Sequence, residues 1–126
     1  MHNQPSVAEL IEAVKHFIDE SAAPQLKGHA AFHARVASNA LATALRELNQ
    51  RPEAEAKERE RLQDLLPEAP PIADASTLNR LLCEAIQDGR FTPSSPGLLA
   101  HLKATTIAQV EIDQPRYSGL RAAKQP

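Results

Sequence analysis

The sequence predicts an all-α fold, a compact bundle of four to five helices, and three observations carry that prediction. The composition is rich in alanine and leucine, with few aromatic residues, four glycines and no tryptophan. That balance favours helices packed through small and branched side chains over sheets. Apolar residues recur at helical spacing through successive stretches of the chain, and the ten prolines fall at the edges, loops, first turns or tail of those stretches. At 126 residues the chain has the usual size of one domain. Residues 1–117 are therefore expected to form a single helical domain and 118–126 a mobile tail.

The first helix is announced at Ser6, where Ser-Val-Ala-Glu forms a capping box. Val7, Leu10, Ile11, Val14, Phe17 and Ile18 then give it an apolar face, and Pro24 ends it by way of a connection over 21–27. Residues 28–49 read as the central helix, opened by Gly28. Its most apolar arc holds Ala30, Ala34, Ala37, Leu41, Ala44, Leu45 and Leu48, and alanines there predict close approach of neighbouring helices. A third helix is expected over 53–66, with Pro52 suited to its first turn. Its middle, KERERLQ, reads as a solvated, partly frayed face, anchored only by Leu62, Leu65 and Leu66.

The stretch PEAPPIADA is the clearest loop. Ser76 then reads as the N-cap of a fourth helix with Leu78, Leu81, Leu82, Ala85 and Ile86 on one face, stopped by Gly89. Ser94-Ser95-Pro96 reads as the start of a fifth, with Leu98, Leu99, Leu102, Thr106 and Val110 as its stripe. Residues 104–112 are rich enough in β-branched side chains to suit a strand. Helix is preferred because no partner strand is visible. After 113 periodicity is lost.

Formal net charge is −2 with signs interspersed, which argues against nucleic acid and anionic membranes as partners. No run reaches the roughly 20 apolar residues that span a bilayer, and no secretory leader is visible. A single cysteine, Cys83, suits a reducing compartment. A cytoplasmic location is expected. The same features point away from catalysis. His29 and His33 are four apart on the central helix, but Ala30 stands where a zinc protease needs Glu, so capping, exposure or a polar contact is preferred to a metal site. Glu12 and His16 read as a solvated pair and Cys83 as a packed thiol. Ser94, Ser95 and Gly97 lack a phosphate-loop pattern. No cofactor is implied, and the balance leans away from an enzyme.

One polar feature resists a bland explanation. Arg35, Asn39 and Arg46 fall on one narrow stripe of the central helix, since their spacings nearly close whole turns at about 3.6 residues per turn. A buried guanidinium needs acceptors. Either neighbouring helices supply them, or the stripe meets a partner protein or an anionic ligand.

The string AFHARVASNALATALREL, with the opening PSVAELIEAVKHFIDESAAPQLKG and later LLCEAIQDGRF, LLAHLKATTIAQVEIDQP and the Arg116-Tyr117 pair, resembles a small bacterial domain family of formally unknown function. Its members are encoded beside acyl-CoA dehydrogenases and kinases similar to aminoglycoside phosphotransferases. The resemblance implies a non-catalytic accessory subunit for such a kinase, which would act on hydroxyacyl-CoA thioesters. Arg35, Asn39, Arg46, Arg116 and Tyr117 are the expected partner or ligand contacts. Two other expectations stay open: a small domain binding acyl-CoA or another anion through its arginines, and a self-associating homo-oligomeric bundle. The chain departs from the family pattern at Gln114, where Asn is favoured before the Pro-Arg-Tyr element.

Overall fold

The computed structural model describes residues 4–126, and among them every regular element is helical. In order these are α1 (Val7–Phe17), α2 (Gly28–Leu65), α3 (Ala75–Gln87), α4 (Leu98–Asp113) and α5 (Ser118–Ala123). The chain divides into two compact units, one ending at Arg51 and the other beginning at Pro52. α2 contributes to both.

In the first unit α1 begins as read. Ser6 Oγ accepts from Glu9 N at 3.2 Å, and Glu9 Oε2 accepts from Ser6 N at 2.6 Å. These two bonds hold the Glu9 carboxyl below its ordinary range, the backbone bond first. After Phe17 the helix widens into a π turn, Ile18–Ala22, and tightens into a 3-10 turn, Ala23–Gln25. Gly28, at φ 61°, then opens α2, a left-handed backbone that glycine adopts without strain. Asp19 ties the two arms by accepting from Ser38 Oγ at 2.5 Å, and Lys15 Nζ donates to it at 2.6 Å.

Two helices expected to be separate, 28–49 and 53–66, form one. Pro52 lies inside α2. Proline removes the helical donor to the carbonyl of Leu48, but residues 48–53 are all exposed, so water can satisfy that carbonyl. The i, i+4 pairs Glu47–Arg51 and Glu53–Lys57 flank the proline and support the turns on either side.

The core belongs to the second unit. Leu62, Leu66, Ala73, Leu78, Leu82 and Leu98 form one buried cluster, with Leu65, Leu81 and Phe91 packed on it. The charged middle of α2 is not a frayed surface. Arg59 Nε donates to Ala73 O at 3.0 Å and its Nη2 to Pro71 O at 2.6 Å, while Gln63 Nε2 donates to Pro70 O at 3.2 Å. The proline-rich loop has few carbonyl partners of its own, and these side chains supply them.

Three helix starts differ from the sequence reading. α3 is capped by Asp74, whose Oδ1 accepts from Thr77 N at 2.8 Å, and not by Ser76. α4 begins after Gly97, at φ 83°. Ser95 closes the preceding turn through Thr92 N at 2.9 Å, so Pro96 precedes the helix. Residues 104–112 are helical throughout. Where periodicity faded, α5 forms, with Leu120 buried.

Leu62→Ala or Leu78→Ala, each opening a wholly enclosed site, is expected to cost about 2–5 kcal/mol in urea denaturation. Leu10→Ala or Val14→Ala, at exposed positions, is expected to change stability by about 0.5 kcal/mol or less.

Candidate functional site

The first unit has no apolar core. Among its described residues only Ser38 is buried, and no apolar side chain is. The arc expected to set tight helix packing is half-buried at Ala34, Leu41, Ala44 and Leu45 and exposed at Ala30, Ala37 and Leu48. Instead, α1 displays Val7, Leu10, Val14 and Phe17 at helical spacing, all more than half exposed. On α2, Phe32 is 54% exposed and Val36 49%, and Arg35 and Asn39 alternate with them along one side. His33 sets its ring edge-on to Phe32, with centroids 5.6 Å apart. Two ridges of a helical hairpin are thus left open, one apolar and one mixed.

The predicted polar stripe separates into two parts. Arg46 is half-buried and donates to Thr43 Oγ1 at 3.0 Å, and Thr43 Oγ1 in turn donates to Asn39 O at 3.2 Å. Arg35 and the Asn39 side chain are exposed, and neither meets a hydrogen-bond partner among the described residues. Arg116 and Tyr117 lie in the second unit, at a pocket with Arg121 and Lys124. His29 and His33 are exposed. So is Cys83, which the sequence had placed against the core. Among the described residues no three His, Cys, Asp or Glu side chains are grouped as a metal ion would require. No described helix is long and apolar enough to cross a membrane.

A partly buried polar cluster in the second unit, closed around the buried His101, gives no sign in the sequence. Glu58 Oε1 accepts from Asn79 Nδ2 at 2.8 Å, linking α2 to α3, and Arg61 Nη2 donates to Thr105 Oγ1 at 3.1 Å, linking α2 to α4. His101 is 2% exposed. Its Nδ1 and Arg61 Nε are enclosed with no partner among the described residues. Burial first, and the Arg61 charge second, push the imidazole below its ordinary value, against a smaller opposing pull from Glu58. The imidazole is therefore held neutral. The inward stripe of α4 runs Leu98, His101, Thr105, Ala108, Ile112, one register away from the stripe through Leu102 and Thr106. A histidine between leucines reads as surface, yet it sits at i+3 from Leu98.

The sequence profile of a domain of unknown function, DUF6285, matches residues 24–117, well over half of the chain. The chain belongs to the DUF6285 family. No characterised protein and no solved structure matches it. The DUF6285 match takes in α2, α3 and α4, the polar cluster around His101, and all five candidate contact residues, Arg35, Asn39, Arg46, Arg116 and Tyr117. It leaves out α1 and α5.

A neutral histidine with a depressed pKa binds its proton more readily in the unfolded chain, so its contribution is complete above pH 6.5 and is lost as pH falls through the folded pKa. Melting temperature is expected to drop on acidification from about pH 7.5 to about pH 5. His101→Gln, which carries no titrating group, is expected to flatten that slope.

Proposed function

We propose that this protein is a non-catalytic accessory subunit that docks on a protein partner through its N-terminal hairpin, and that the partner is a kinase similar to aminoglycoside phosphotransferases, acting on hydroxyacyl-CoA thioesters. The observation that carries the reading is the open ridge of Phe32, Arg35, Val36 and Asn39, beside a helix whose own apolar stripe is uncovered. Aromatic and arginine side chains are the residues from which the centres of protein interfaces are most often built. A hairpin of this size cannot bury enough apolar surface to offset the entropy of ordering it. A partner that covers Val7, Leu10, Val14 and Phe17 would supply the missing burial. The kinase itself is named by the resemblance of AFHARVASNALATALREL, which contains this ridge, to domains encoded beside such enzymes.

The reading gives each exposed group a task. Phe32 and Val36 would lose water to an apolar groove, and Arg35 would find there the acceptor it does not meet in the chain. The partner would supply nucleotide and magnesium chemistry. The hairpin's burden is then recognition.

Co-expression with the neighbouring kinase tests this. A stable complex is expected, weakened at least about 100-fold by Phe32→Asp or Phe17→Asp, since each buries an unpaired charge at a desolvated contact. Leu99→Asp, on an exposed residue of α4, should leave it intact. No complex, together with kinase activity unchanged on adding the protein, would sink the proposal. So would a homodimer of the isolated chain whose hairpin is already covered.

A further inference from the structure

Residues 115–124 hold three cations and no carboxylate. Elsewhere the cations of this chain are mostly committed: Lys15 to Asp19, Arg51 to Glu47, Lys57 to Glu53, Arg80 to Glu84, and Arg59 and Arg61 to oxygens of the second unit. Near the C-terminus only Lys124 is paired, with Glu111. Arg116 and Arg121 meet no acceptor among the described residues. All three cations line one pocket of ≈ 680 Å³, with Tyr117, Ser118 and Leu120 completing its wall. The wall is anchored, because α5 packs on α4 and Leu120 is buried.

The Tyr117 ring lies over Gly119. A Cβ there would stand 2.7 Å from Tyr117 Cε1, closer than real Cβ contacts, so a side chain at this position would move the ring from where it lies. The ring remains 56% exposed. The pocket thus joins two free guanidinium forks, a fixed ammonium and an open aromatic face. Guanidinium forks match phosphate oxygens in pairs, and an open phenol ring offers a stacking surface to a planar heterocycle.

We propose that this pocket binds a small organic phosphate carrying a planar ring, with Arg116 and Arg121 holding the phosphate oxygens, Lys124 staying paired with Glu111 at its edge, and Tyr117 stacking on the ring. The site is independent of the docking reading, since it lies in the other unit. Binding is electrostatic and exposed, so it weakens as salt rises.

Calorimetry on the full chain at low salt tests it, with inorganic pyrophosphate and ADP as probes. Both are expected to bind, ADP about tenfold more tightly through its ring. The Arg116→Ala/Arg121→Ala double variant, changed at exposed positions, should weaken both at least about tenfold. Tyr117→Leu and Gly119→Ala should bring ADP down to the level of pyrophosphate and leave pyrophosphate itself unchanged. Gly119 has no positive φ, so alanine there suits the helix, and a lost ADP preference reports the displaced ring. Circular dichroism confirms that each variant keeps its helices. Binding of neither probe at millimolar concentration overturns the proposal, as does binding unaffected by the double arginine variant. Equal affinity for ADP and pyrophosphate in the unaltered chain overturns the role of Tyr117.

Discussion

Among the described residues the fully buried apolar side chains all follow Pro52, and the rest of the structure follows from that constraint. Leu62 and Leu78 are wholly enclosed, and the leucines around them draw the end of α2, the proline-rich loop, α3 and the start of α4 into one core. Up to Arg51 the same chemistry is present without the same outcome. Val7, Leu10, Val14, Phe17, Phe32 and Val36 are as apolar as the core residues, but they stay in contact with solvent. Hydrophobic stabilisation scales with the area removed from water, so the first unit is the weakly held one.

Polar side chains do much of the work of alignment in the second unit. Arg59 and Gln63 satisfy carbonyls of a loop whose prolines cannot form a regular ladder. Glu58, Asn79, Arg61 and Thr105 join three helices through part-buried hydrogen bonds whose loss would leave half-buried groups unpaired. A shift of one helix by a residue would break them together. Among the described residues of the first unit the comparable link is Ser38 to Asp19, which pairs the arms without enclosing anything apolar.

Much of the fold was legible in the residues, and the misses share a cause. The Ser6 capping box, the loop at PEAPPIADA, the Gly89 stop and most of the α3 face were readable because short-range chemistry decides them. Pro52 was read as a boundary because proline disfavours helix interiors, yet its turn is solvated and flanked by ion pairs. KERERLQ reads as a solvated, frayed face, and Lys57 and Glu60 are exposed, but Arg59, Arg61 and Gln63 are engaged; the alanine-rich arc reads as core and is only half-buried at Ala34, Leu41, Ala44 and Leu45. Tertiary contacts made that decision: Arg59, Arg61 and Gln63 have carbonyls and a hydroxyl to meet, whereas the alanines have no third helix in their own unit. His101 was missed because a titratable residue within a leucine stripe gives no sign of which register faces inward. The candidate contacts Arg35 and Asn39 were found by spacing, but their exposure was not foreseeable from sequence.

On the docking proposal, the N-terminal hairpin is marginal by itself because its exposed apolar ridges await a partner. Amide hydrogen exchange on the isolated chain tests that most directly. If the claim holds, amides of α1 and the first turns of α2 exchange through low-energy local opening, orders of magnitude faster than those around Leu62 and Leu78. Equal protection across both units, in a chain shown to be monomeric, would contradict it.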